Sequence, residues 1–321
     1  MSPFEYRRPT SLTDAIRLLQ GPGAHALGGG TDLLPLVRES LVTPATLVDL
    51  RRLPSSTAVE WLADGGVRIG ASARLAHLAR HPELVDAFPL LTESCAAVGS
   101  AALRVMGTLG GNLAQRPRCW YFRHGFACFK SGGTTCLAAA GENQYHAILG
   151  GGPCVAAHPS DPAVALTALE AVVHLAGAGG ARDVAIADFF EGAARAPERE
   201  TIVAPGEIVT AVSIPGIARG GAQRYEKVMQ RGAWDFALVS LAAVRRRDGE
   251  VRLVLGGVAP APWRVTDSIE EDVASGGLSE DDIETLGARA LYDAEPLSHN
   301  AYKVELASAV LRRGIAWLMS R

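Results

Sequence analysis

Residues 24–34 read AHALGGGTDLL, and this stretch decides how the rest of the chain is understood. A short apolar strand runs into Gly28, Gly29 and Gly30, then Thr31, Asp32 and a helix start at Leu33. Clustered glycine between apolar runs marks backbone that takes positive φ or approaches something closely. Gly28 and Gly30 fill two positions of the G-x-G-x-x-G template, but the third falls on Leu33, where close helix–strand packing needs glycine. Asp49 lies about twenty residues farther on at a strand end, as the fingerprint's acidic residue would. No βαβ repetition follows, so a Rossmann domain is not expected. The Walker template fails as well, because no GK[ST] follows. What remains is a turn of backbone N–H groups with a threonine hydroxyl beside a helix N-terminus, a competent pyrophosphate cradle.

Around this turn lie 321 residues, 48% hydrophobic and 20% charged, with a net charge of −3. That is enough chain for two domains. The balance gives no electrostatic footprint for nucleic acid and no basic run for a membrane surface. Arg245, Arg246 and Arg247 do cluster, but the Asp248-Gly249 that follows reads as a solvated hairpin tip. The opening MSPFEYRRPTSLTDAI has no apolar signal region, so the chain is expected to be cytoplasmic. No apolar run approaches the ~20 residues that span a bilayer.

Residues 46–50, TLVDL, read as a second short strand, and Asp64-Gly65-Gly66 as a hairpin turn. A helical stretch is expected from Leu75 to Val98, interrupted near Phe88-Pro89, with Cys95 a buried structural thiol. Helix and strand resume at Pro162, and GAGGARD at 177–183 reads as a loop. After residue 215 a smaller α+β unit begins, with two apolar strands around Asp248-Gly249. It ends in a helix whose Val304, Ala307, Leu311, Ile315 and Leu318 repeat at three- and four-residue steps.

Four of the five cysteines, Cys119, Cys128, Cys136 and Cys154, follow the second glycine loop at gaps of eight, seven and seventeen residues. None sits in a CxxC pair. The absent zinc knuckles and absent ferredoxin runs leave zinc and an iron–sulfur cluster both open on spacing alone.

Four motifs occur in order: LGGGTDLL at 27–34, TLGGNLAQ at 108–115, HPSDPAVAL at 158–166 and YEKV at 225–228. As an ordered set they resemble the FAD-binding subunits of the molybdenum hydroxylases, such as xanthine dehydrogenase and aldehyde oxidoreductases, over nearly the whole chain. The resemblance implies an α+β fold. Residues 1–216 would form an FAD-binding domain of the vanillyl-alcohol-oxidase type, made of two α/β subdomains. Residues 217–321 would form a small C-terminal α+β domain with an antiparallel sheet and helices.

By position, Ala26, Leu27, Gly28, Gly29, Gly30, Thr31, Asp32 and Leu33 would wrap the FAD pyrophosphate. Thr108, Gly111 and Asn112 would form the second loop, with Gly99 a looser match. Asp161 would accept from ribityl or ribose hydroxyls, and Lys227 would stand at the pyrimidine edge of the flavin. Read without the resemblance, Asp161 is a helix cap in SDP and Lys227 a surface lysine.

The stretch between Asn112 and Ser160 is longer than most of the family carries, and the four cysteines lie in it, at about 115–158. Two branches bear a [4Fe–4S]-binding insertion here, the three-subunit periplasmic aldehyde oxidoreductase and 4-hydroxybenzoyl-CoA reductase. The spacing, with RPRCWYF and HAILGGGPCVAAHPSD, looks more like the first. The resemblance implies Cys119, Cys128, Cys136 and Cys154 as cluster ligands. Trp120, Tyr121 and Phe122 would shield the cluster, and His124 and His146 would be bystanders. It further implies a heterotrimer. A large subunit would hold the molybdenum cofactor, a small one two [2Fe–2S] clusters, and electrons would leave through this chain's FAD to an external acceptor. Export together with a signal-bearing partner would put the complex in the periplasm. A reductase running electrons inward, and a flavin or zinc module without electron transfer, are the alternatives.

Overall fold

The computed structural model describes residues 2–192 and 196–321. Its first sheet is parallel, with β1 (Glu5–Arg7), β2 (Ala24–Leu27) and β3 (Thr46–Asp49) in the order β1-β3-β2. Helix Leu12–Leu19 links β1 to β2. Ser11 caps it by accepting the Asp14 N–H, and it buries Ala15 and Leu19 beside Val48. Asp49 ends β3 and does not face a ligand. Its side chain is 1% exposed, and it is taken by Tyr6 Oη at 2.5 Å and by Arg51 Nε and Nη2, each at 2.9 Å. Burial alone would raise its carboxyl; Arg51 and Tyr6 outweigh that and hold it at about 2. The strand-end acid is therefore structural.

The second sheet is antiparallel, ordered β4-β5-β8-β6-β7. It is built from β4 (Val59–Trp61), β5 (Val67–Gly70), β6 (Val172–Gly177), β7 (Gly180–Ala185) and β8 (Ile208–Ile214). The hairpin at Asp64-Gly65-Gly66 forms as read, with Asp64 Oδ1 accepting the Gly66 N–H at 2.9 Å. The stretch 177–183 is not a loop. Gly177 pairs with Gly180, so only residues 178 and 179 turn, and Arg182 and Asp183 lie on β7. Glycine there serves a tight hairpin.

The helical region 75–98 breaks twice, giving helices Leu75–Leu78, Pro82–Ala87 and Pro89–Ala96. Each proline opens a helix at the position where its missing N–H costs nothing. Cys95 is fully buried in the main core, as read. Helix Asp161–Ala168 is buried along its whole length. It packs against the helices Pro89–Ala96 and Leu109–Leu113 and against the third sheet.

That third sheet is antiparallel: β9 (Ala222–Val228), β10 (Val239–Arg245), β11 (Val251–Gly256) and β12 (Trp263–Arg264), ordered β12-β11-β10-β9. The final helix, Tyr302–Met319, lays Ala307, Leu311, Ile315 and Leu318 on it, with Val304 at the margin. The architecture is α+β, two mixed units followed by an antiparallel sheet covered by helices. The arginine cluster is not freely solvated. The Arg246 side chain is mostly buried among Glu170, Asp248 and Glu250, and Arg245 donates to the Val273 and Ala274 carbonyls.

Candidate functional site

Three loops from distant parts of the chain are tied together. The glycine turn lies against the second loop so closely that a Cβ on Gly29 would run into the Met106 carbonyl. One on Gly28 would stand 2.7 Å from Thr108 Oγ1. Gly30 takes φ +75°, which turns the chain into helix Leu33–Arg38. In the second loop Thr108 caps helix Leu109–Leu113, its Oγ1 accepting the Gly111 N–H at 3.3 Å. Asn112 Oδ1 then accepts from Ser160 Oγ at 2.5 Å, while Ser160 Oγ accepts the Ala163 N–H at 3.1 Å. Ser160, not Asp161, is thus the cap of helix Asp161–Ala168.

The loops line a cleft of about 210 Å³. Thr31, Asp32, Gly99, Thr108, Gly111 and Asn112 border it, and so do Asp161 and Lys227. Ala26 and Leu27 remain in β2, Gly28 to Gly30 are used in loop packing, and Leu33 starts the next helix. None of these six lines the cleft. Lys227 is no surface lysine. Its side chain is 4% exposed, and its Nζ lies 2.9 Å from Asp161 Oδ2 and 3.0 Å from the Ala97 carbonyl. Tyr225 Oη donates to Asp161 Oδ1 at 2.7 Å. Burial pushes the Asp161 carboxyl upward, and Lys227 and Tyr225 pull it back. Tyr225 stands in the YEKV motif, so its hydroxyl was visible in the sequence but its reach was not.

Asp32 has a role that no local pattern announces. Its Oδ1 accepts from Arg123 at 2.7 Å and Arg118 at 2.9 Å, and its Oδ2 from the Arg116 N–H at 2.8 Å. The glycine turn is thereby clamped to the start of the cysteine segment. Arg118 also lies over the Phe236 ring at 4.7 Å and borders the cleft; burial brings its guanidinium down to about 10 against the pull of Asp32. The run RPR directly after the second glycine loop was the signal for this cation.

Cys119, Cys128, Cys136 and Cys154 line a single small cavity. All five cysteines are free thiols. Burial raises the Cys119 and Cys154 thiols, and the neighbouring cysteines add to it. The cavity has room for about 10 Å³, no more than a water, and among the described residues no three His, Cys, Asp or Glu side chains stand together as a metal-ion site. Four thiols bordering one cavity are a donor set of the kind an iron–sulfur cluster takes. Of the expected shield, Tyr121 and Phe122 border the cavity, whereas Trp120 is 51% exposed and turns outward. His124 is exposed, and His146 borders the cavity.

The segment is held at its far end by the C-terminal unit. Asn143 bonds to Ala138, Ser298 and His299. The fully buried Lys303 donates to the carbonyls of Tyr145, His146 and Gly257 at 2.8–3.1 Å, and burial brings its amine down to about 7. Lys130, also bordering the cysteine cavity, pairs with Glu200 at 2.7 Å.

Residues 2–217 match the family described as the FAD binding domain in molybdopterin dehydrogenase, and residues 224–318 the CO dehydrogenase flavoprotein C-terminal domain. The chain belongs to the FAD-binding subunits of the molybdenum hydroxylases. It is 37% identical to the aldehyde oxidoreductase FAD-binding subunit PaoB of Escherichia coli (strain K12), covering 98% of each chain. It is 28% identical to the carbon monoxide dehydrogenase medium chain of Afipia carboxidovorans, covering 97% of this chain and 95% of that one. Reconstituted CO dehydrogenase from Oligotropha carboxidovorans superposes with a TM-score of 0.78 at 25% identity, over 100% and 99% of the two chains. This is therefore the flavin-binding medium subunit of an aldehyde oxidoreductase- and CO dehydrogenase-type molybdenum hydroxylase, folded as the family is. No helix among the described residues is long and apolar enough to cross a membrane.

Proposed function

We propose that this chain is the electron-transfer subunit of a three-subunit, molybdenum-dependent aldehyde oxidoreductase, and that it carries a [4Fe–4S] cluster beside its FAD. One observation carries the reading: four cysteines scattered over the segment line one cavity, and Asp32 clamps that segment to the flavin cleft. A four-iron cluster takes one thiolate per iron and holds its ligands farther apart than a single ion does.

Cys119, Cys128, Cys136 and Cys154 would ligate the cluster. Thr31, Thr108 and Asn112 offer hydroxyl and amide groups to the flavin's pyrophosphate side. The Asp161–Lys227 pair offers an acceptor and a fixed cation deeper in the cleft. When bound, FAD supplies the conversion of one-electron arrivals into two-electron delivery. The chain's own residues bind, orient and exclude water; none performs the molybdenum chemistry. The reading takes residues 1–216 as the FAD-binding domain and 217–321 as the C-terminal domain. Partners are a large molybdenum subunit and a small [2Fe–2S] subunit. The complex remains cytoplasmic unless a signal-bearing partner carries it to the periplasm.

The test is to co-express the chain with its genomic neighbours, purify the complex and add an aromatic aldehyde without oxygen. Bleaching of the flavin absorbance, with carboxylic acid formed, is expected. A complex that leaves aldehydes untouched but oxidises reduced donors at the expense of an aryl-CoA thioester would move the chain to the reductase branch.

A further inference from the structure

The antiparallel sheet β4-β5-β8-β6-β7 turns one face into the main core. Val173, Val184, Val212 and Ile214 lie on that side. Alternation along the strands therefore sends His174, Asp183 and Ser213 to the other face, on β6, β7 and β8. None of the three borders the flavin cleft or the cysteine cavity.

Their side chains join in series. His174 Nδ1 lies 2.6 Å from Asp183 Oδ1, and His174 Nε2 lies 2.7 Å from Ser213 Oγ. A carboxylate can only accept, so in the neutral ring Nδ1 carries the proton and Nε2 is an acceptor. The Ser213 hydroxyl then donates to Nε2. A hydroxyl held on an imidazole nitrogen, with the ring oriented by a third group, is how a serine nucleophile is activated. Such a set is recognised by geometry and roles, not by order along the chain. The ring is held firmly, since the His174 side chain is 13% exposed and Thr210 Oγ1 donates to its carbonyl at 3.1 Å. The next strand adds a cation. Arg68 on β5 is the register partner of Ser213, which puts both side chains on one face, and no ion pair among the described residues engages it.

We propose that Ser213 is a nucleophile for acyl transfer, with His174 as its general base and Asp183 orienting the ring. The inference stands apart from the electron-transfer reading. Asp183 is exposed and the other two are half-buried on a sheet face, which offers little surface to grip a substrate. The substrate class is accordingly small carboxylic esters with a good leaving group. Ser213 Oγ bonds to the carbonyl carbon as its proton passes to His174 Nε2, and Arg68 is the cation available to the developing oxyanion. The carbon–oxygen bond to the leaving group breaks, and the alcohol departs with that proton. Water then cleaves the acyl-serine, so ester and water give carboxylic acid and alcohol.

The experiment treats the intact purified complex with p-nitrophenyl acetate. A burst of p-nitrophenol matching the amount of this chain is expected, with the acetyl group on Ser213 by peptide mass spectrometry. Ser213→Ala should remove both, and Ser213→Cys should restore a burst. His174→Ala should slow acylation about a hundredfold, the lower end of what a positioned base contributes. Asp183→Asn should slow it about tenfold, because water screens this exposed carboxylate. FAD content and aldehyde oxidation should be unchanged in all four variants. The labelled site is read on the wild-type complex, so the test stands even where a variant folds poorly. A wild-type complex without a burst overturns the proposal and leaves the three side chains as a staple across three strands. So does a burst that survives Ser213→Ala, or acetyl found only on lysine or cysteine.

Discussion

Replacing Lys227 with methionine removes one half of a buried pair in which both side chains are about 95% covered. Removing one partner of such a pair costs about 3–5 kcal/mol, because the other charge is stranded. Lys227→Met leaves Asp161 with Tyr225 alone, and burial already pushes that carboxyl up, so it takes a proton instead of staying charged. The cost therefore sits at the lower end, about 3 kcal/mol at neutral pH. It also acquires a pH dependence. A carboxyl whose folded pKa lies above its unfolded value binds more protons when folded, so the variant loses stability as pH rises from about 4 towards the raised folded value. Asp161→Asn strands Lys227, which keeps the Ala97 carbonyl as an acceptor. The double variant strands nothing. Urea unfolding of the four proteins should show the two effects falling short of additivity by about 2 kcal/mol or more. Additivity within about 0.5 kcal/mol would refute the pairing as an energetic unit.

Gly29→Ala should cost about 1–3 kcal/mol and release FAD, since its Cβ meets the Met106 carbonyl; flavin retention on a desalting column reads it. Cys128→Ser should lose iron, while Cys95→Ser should keep iron and lose about 1–3 kcal/mol by burying a hydroxyl in the core. Asp49 is held at about 2, so its share of stability is complete above pH ~4 and disappears as pH falls towards 2; Asp49→Asn should flatten that part of the acid unfolding curve, worth about 2 kcal/mol at neutral pH.

Part of the sheets was legible because its signals are local, whereas the β6–β7 hairpin was read as a loop and the third of the tied loops came only with the family resemblance. Glycine runs, a hairpin turn and a three-and-four-residue stripe each report on their own few residues. What escaped depends on distant neighbours. Asp32 reads as part of a glycine turn, yet its charge is used by Arg118 and Arg123, far along the chain. Tyr225, on β9, reaches Asp161 across 64 residues of sequence. Trp120 looked like a cluster shield from its place next to Cys119, but the short helix Trp120–Arg123 sends Trp120 outward and Phe122 inward. The helical stretch read over 75–98 breaks near Phe88-Pro89 as expected, and breaks once more where Pro82 opens a helix of its own. Asp49 matched a template by distance alone, and its partners Tyr6 and Arg51 show that distance was insufficient.

The most direct measurement is an anaerobic assay of iron, sulfide, zinc and flavin on the purified chain, with its visible spectrum. The account predicts about four irons and four acid-labile sulfides per flavin, with no zinc. Flavin with zinc, or with no metal, would contradict the cluster at Cys119, Cys128, Cys136 and Cys154.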